Sequence, residues 1–168
     1  MRTWLTLMVF CTLSTFGAGA RADIYTEVNA LVQSGQWQSA RALAESRLNS
    51  TPTDPQMRLL LSHIQTGQGQ TQAAMDTLRA LTLSFPELPE PHNNLAALLA
   101  RANRHEEALL SLQAAIQARP DYALALENMG DLYLTLAARA YGKALNLSPD
   151  LRRLQNKQAN TQLVLKAP

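Results

Sequence analysis

The chain is 168 residues long, 46% hydrophobic, 17% charged and 5% aromatic, with a formal net charge of +2. That length holds one ordinary domain or a short repeat array, and the abundance of Ala, Leu and Gln favours helix. So small a charge, carried by scattered basic residues, argues against a partner that is nucleic acid or an anionic membrane.

Residues 1–22 read as a cleaved secretory signal peptide. Arg2 supplies a positive charge, "TWLTLMVF" is an apolar run, and Ala20-Arg21-Ala22 is an A-x-A pattern that places the cut before Asp23. The apolar stretch dilutes into Thr, Ser and Gly after about ten residues, short of the roughly 20 that span a bilayer. No membrane span is therefore expected after cleavage. The sole cysteine, Cys11, lies inside this segment, behind Phe10 where a lipoprotein signal carries a small residue. The mature chain then has no thiol for a disulfide or a thiolate metal site. The expected localisation is the periplasm of a Gram-negative bacterium.

From Asp23 onward a period of 34 residues organises the chain: Pro52, Pro86 and Pro120; Ala40, Ala74 and Ala108; Gly35, Gly69 and Asn103; Val28, Ser62, Ala96 and Gly130. The first unit, about 23–52, keeps Gly35, Ala40 and Pro52 but places Arg47 in the column of Leu81 and Ala115. It is expected to be a looser N-terminal cap, with Trp37 over the exposed end of the core. The second, 55–86, keeps Gly69, Ala74, Leu78, Leu81 and Pro86. The third, 89–120, is the most regular. Small residues such as Ala96 and Ala108 let two antiparallel helices approach closely. Gly or Asn at each turn tolerates the left-handed conformation that ends a helix, and the proline after each second helix has no N–H with which to continue it.

The fourth unit, 122–149, is short. Gly130 and Tyr133 stand where a first helix requires them, and Ala137, Tyr141, Ala144 and Pro149 carry the spacing of a second helix, yet Pro120 to Pro149 is 29 residues instead of 34. The five missing residues are the turn. Between Tyr133 and Ala137 only Leu-Thr-Leu remains, and Leu126, Met129, Tyr133, Leu136, Ala140, Ala144 and Leu147 advance by three or four. One continuous helix from about Tyr122 to Leu147 is predicted, its rival being a tight turn near Thr135. Leu136, Ala140, Tyr141, Ala144 and Leu145 would then lack their usual cover and form a capping or dimer surface. Two coverings are open: residues 151–165 as a final helix using Leu151, Leu154 and Leu163, or a homodimer through the long helix.

A 34-residue period in helix-forming sequence resembles the tetratricopeptide repeat. Residues 89–120, "PEPHNNLAALLARANRHEEALLSLQAAIQARP", carry the likeness best, with Leu95-Ala96, Leu99, Ala108, Leu112, Ala115 and Pro120 at the family's positions. Arg58 and Gln65 depart from it, standing where the family prefers bulky apolar residues. The wording "ENMGDLYLTLAARAYGKALNLSPD" is similar to small exported proteobacterial tetratricopeptide proteins with a fused last repeat. The resemblance implies an all-α solenoid of α-α hairpins: a repeat domain over about 23–150, made of three helix–turn–helix repeats and one long fused C-terminal helix, then a final capping helix or tail over 151–168.

It also implies a concave groove lined by first helices, where a peptide or partner helix docks. The groove positions are Asn29 and Tyr25, His63, Glu90, Asn93, Asn94 and Arg101, then Glu127, Asn128 and Asp131. Asn94 and Asn128 hold the same repeat position, at which family members hydrogen-bond a ligand backbone; an amide both donates and accepts. The family's carboxylate clamp is not matched, since Arg101 is the only cation on this face. Catalysis, cofactors and metal binding are not expected: His63, His92 and His105 hold unrelated repeat positions, and no metal, nucleophile or phosphate motif occurs. The reading is a non-catalytic scaffold or adaptor of the cell envelope that binds another protein or peptide segment. The alternatives are a periplasmic assembly factor or holding chaperone, or an accessory subunit of a cell-wall enzyme.

Overall fold

A computed structural model describes residues 23–166. The signal-peptide reading of residues 1–22, Cys11 included, lies outside the described residues. Three helical hairpins follow one another: α1 (Ile24–Gln33) with α2 (Trp37–Ser50), α3 (Pro55–Gly67) with α4 (Thr71–Ser84), and α5 (Pro89–Arg101) with α6 (His105–Ala118). A long helix α7 (Ala123–Leu147) and a last helix α8 (Arg152–Leu165) complete the stack. Each helix packs on its chain neighbours, which makes a solenoid instead of a closed bundle.

The three turns are copies of one device. Gly35, Gly69 and Asn103 have φ of 72°, 74° and 60°, the left-handed region. The N–H that follows reaches back five residues, Gln36 to Leu31, Gln70 to Gln65 and Arg104 to Leu99, at 2.9, 2.8 and 2.9 Å. This double-back satisfies carbonyls that the helix end would otherwise leave open. Each second helix stops two residues before its proline, at Ser50, Ser84 and Ala118. Pro55 and Pro89 begin first helices, where the missing N–H costs nothing.

The core is in two parts. Val28, Ala40, Ala44, Met57, Leu60 and Ile64 form one, while α4 to α7 share the other around Leu78, Leu99, Leu112, Ala125 and Leu132. Gln65 stands at the boundary, buried and accepting a 2.8 Å hydrogen bond from Thr77 Oγ1. The polar residue in an apolar column is thus satisfied by its own hairpin partner.

The first hairpin is tied down more firmly than a loose cap. Arg47, out of place in a small-residue column, donates from Nε to Asp54 Oδ2 at 3.1 Å, and Tyr25 Oη donates to the same oxygen at 2.6 Å. Asp54 Oδ1 caps α3 by accepting from Met57 N at 3.0 Å. Trp37 does not cover the end of the core. A Cβ built on Gly67 would stand 2.5 Å from its ring, so the indole lies flat on α3 between the first two hairpins.

α7 runs unbroken for 25 residues, about 38 Å of rod. There is no turn at Thr135, whose hydroxyl donates to Asp131 O at 3.0 Å inside the helix. The register of its apolar stripe differs from expectation. Ala125, Met129, Leu132 and Leu136 face the repeat core, whereas Leu126, Tyr133, Ala140 and Leu147 stay exposed. Leu136 therefore belongs to the repeats and not to a capping surface. Tyr141, Ala144 and Leu145 are half-buried.

α8 packs on α7, but of the three leucines expected to do so only Leu154 faces inward. Leu154, Gln158 and Thr161 share its inward stripe, while Leu151 and Leu163 are exposed. Leu151 precedes the helix, and Leu163 falls on the opposite arc of a 3.6-residue turn. α8 passes close to Gly142, where an added Cβ would lie 3.3 Å from the tip of the Gln158 side chain, and Lys157 Nζ sits 5.5 Å from the centre of the Tyr141 ring.

Candidate functional site

First helices α3, α5 and α7 present the surface on which the expected groove residues meet. A line of polar contacts crosses them. Asn94 Nδ2 lies 2.9 Å from His63 Nε2, Asn93 Nδ2 lies 3.4 Å from Asn94 Oδ1, and Asn128 Nδ2 donates to Asn93 Oδ1 at 2.7 Å. Crowding by neighbouring atoms pushes the His63 imidazole below its ordinary pKa of 6.5. In the neutral tautomer that carries its proton on Nδ1, Nε2 accepts the Asn94 amide. Asn94 and Asn128 thus strut one repeat against the next, and Asn93, which is buried, is the hinge between them.

Two depressions open beside this line. One, of about 260 Å3, is lined by Ser62, His63, Thr66, Asn94, Ala97 and Arg101 among others. Its neighbour, of about 270 Å3, has walls of Ala96, Ala100, Leu112 and Leu132 and a polar rim of Arg101, Asn128, Asp131 and Thr135. Ala97 and Arg101 belong to both, so the depressions follow one another along the stack. Arg101 takes part in no ion pair among the described residues.

Other expected positions lie elsewhere. Asn29 and Glu127 are exposed and line neither depression. Tyr25 is bound to Asp54, and Glu90 is engaged by Arg119 at 3.0 Å. One residue was missed. His105, only 4% exposed, borders the larger depression, and neither ring nitrogen has a hydrogen-bond partner. Its column runs Trp37, Thr71, His105, so no periodic signal marks it. Among the described residues no group of three or more His, Cys, Asp or Glu side chains could hold a metal ion, and no helix is long and apolar enough to cross a membrane.

Paired helices that stack by one repeated turn, with first helices bordering a shared trough, define the class of α-α hairpin solenoids. Residues 31–101 match the family described as Tetratricopeptide repeat. It is 36% identical over 96 residues to the TPR repeat-containing thioredoxin TTL4 of Arabidopsis thaliana, a match covering 53% of this chain. The chain spans about 14% of the length of that relative. Among solved structures, MamA superposes with a TM-score of 0.61 at 20% identity, covering 86% of this chain and 87% of MamA. The type III secretion chaperone SycD of Yersinia enterocolitica, in complex with a peptide of the translocator YopD, gives 0.60 at 16% identity, covering 67% and 91%. These likenesses are of fold.

Proposed function

We propose that the chain is a non-catalytic protein-interaction scaffold that holds an extended segment of a partner across α3, α5 and α7. The observation that carries this reading is the pair of contiguous depressions joined at Ala97 and Arg101, with the unpartnered His105 beside the larger one. A buried polar atom without a partner is costly, and a hydrogen-bonding side chain that reaches His105 recovers what folding lost. Apolar walls favour short aliphatic side chains between such contacts. The scaffold acts in the cell envelope after export, with residues 1–22 removed.

The test is site-specific photocrosslinking in producing cells. A photoreactive residue at Ala97 should give one stoichiometric adduct that weakens in Asn94→Ala/Asn128→Ala, while one at Leu83, on the outer helix α4, should give none. Equal labelling from both sites would overturn the groove. Many adducts from Ala97 would favour a holding chaperone, the reading that the SycD likeness supports. Fractionation with N-terminal sequencing tests export: the mature protein should be periplasmic and begin at Asp23.

A further inference from the structure

The repeat columns allow each position of the fourth unit to be compared with its equivalents, and the comparison exposes two incomplete half-sites. At the small position of the first helix, Val28, Ser62 and Ala96 are 0%, 0% and 1% exposed, whereas Gly130 is exposed and an added Cβ there would meet nothing within 4 Å. Three residues on, Leu99 is 2% exposed and Tyr133 50%. In the second-helix columns, Ala74, Leu78 and Leu81 are fully buried, as are Ala108, Leu112 and Ala115, but Ala137, Tyr141 and Ala144 are only half-buried. α8 covers one flank of that segment. What both halves lack is each other.

They cannot meet within one chain. Leu126, Gly130, Tyr133, Ala137, Ala140, Ala144 and Leu147 advance by 4, 3, 4, 3, 4 and 3 residues along one helix, so they form a single stripe facing one way. A first-helix docking face and a second-helix docking face on the same side of one rod are self-complementary when two rods run antiparallel.

We infer that the chain forms a reciprocal, domain-swapped homodimer in which the C-terminal half of α7 from each copy completes the fourth hairpin of the other. The occupant is a second copy because the chain itself carries the missing element. Ala137, Tyr141, Ala144 and Pro149 repeat the +4, +7, +12 spacing of Ala74, Leu78, Leu81 and Pro86 and of Ala108, Leu112, Ala115 and Pro120. Loss of the five turn residues removes the folded-back arrangement and leaves only the exchanged one, as shortened hinges do. The register follows from the third unit, whose small residues are Ala96 and Ala108. Gly130 of one copy faces Ala137 of the second, and Leu126 faces Tyr141, with the two-fold axis beside Tyr133. The concave face, marked by Asn128, Asp131 and Thr135, lies on another side of α7 and stays open in both copies. This inference does not rest on the groove reading.

Sedimentation of the protein purified from producing cells should give twice the monomer mass. Replacing Leu134-Thr135-Leu136 with residues 100–107, the intact third-unit turn, should convert it to a monomer of similar helix content. Register is read separately with Gly130→Cys/Ala137→Cys in a Cys11→Ser chain. Within one α7 these positions are about 10 Å apart, beyond the roughly 7 Å that a disulfide spans. Oxidation should therefore link two copies, and either cysteine alone, about 10 Å from its own copy across the axis, should link poorly. A native chain that sediments as a monomer at every concentration tested would overturn the inference, as would a dimer that survives turn restoration. If the turn variant does not fold, failure of the cysteine pair to crosslink overturns it alone.

Discussion

Asp54 joins α1, α2 and α3 through one carboxylate. It is 6% exposed and accepts from Tyr25 Oη, Arg47 Nε and Met57 N. Burial is the strongest single influence on its carboxyl and pushes the pKa up, but the three hydrogen bonds together outweigh it and hold the group below the ordinary 3.8. Asp54→Ala removes a helix cap, about 1 kcal/mol, and the remaining charge-assisted bonds to a buried carboxylate, about 1–2 kcal/mol. A total of about 2–3 kcal/mol corresponds to a fall in Tm of about 5–10 °C for a chain of this size. Asp54→Asn keeps a capping oxygen and should recover about 1 kcal/mol of the loss. Because the folded pKa lies below the unfolded one, the ionic contribution is complete above pH 3.8 and disappears as pH falls through the folded value. Thermal unfolding by circular dichroism at neutral pH and near pH 3 measures both. A Tm within about 2 °C of native, or a deficit that does not shrink in acid, would refute the account.

Gly67→Ala should destabilise despite the roughly 1 kcal/mol that alanine gains in a helix, because its Cβ would stand 2.5 Å from the Trp37 ring; Gly67→Ala in a Trp37→Leu chain should be neutral or better, read by urea unfolding. Asn103→Gly should be neutral to slightly stabilising, since Asn103 holds φ of 60°, while Gly69→Ala at φ of 74° should cost about 1 kcal/mol. Titrating downward from pH 7 until His63 takes up its proton, which happens below the ordinary 6.5, should displace Asn94 from Nε2 and appear as shifted Asn94 side-chain amide resonances. Since its folded pKa is depressed, the stability it contributes is present above pH 6.5 and lost below.

The 34-residue spacing determined the hairpins, their turns and the fused helix, because each depends on local facts: a left-handed position, a proline without an N–H, an absent turn. The line Asn94–Asn128 was also legible as a face. Its internal bonding was not, since a hydrogen bond between residues 31 or 35 apart depends on how closely helices pass. The same holds for Arg47, which the sequence marked as misplaced and the fold places on Asp54. Only tertiary structure decided the register of α7. Periodicity finds an apolar stripe, but the side that meets the core is fixed by the rotation at which Ala125 and Leu132 enter it. That rotation leaves Gly130 and Tyr133 outside.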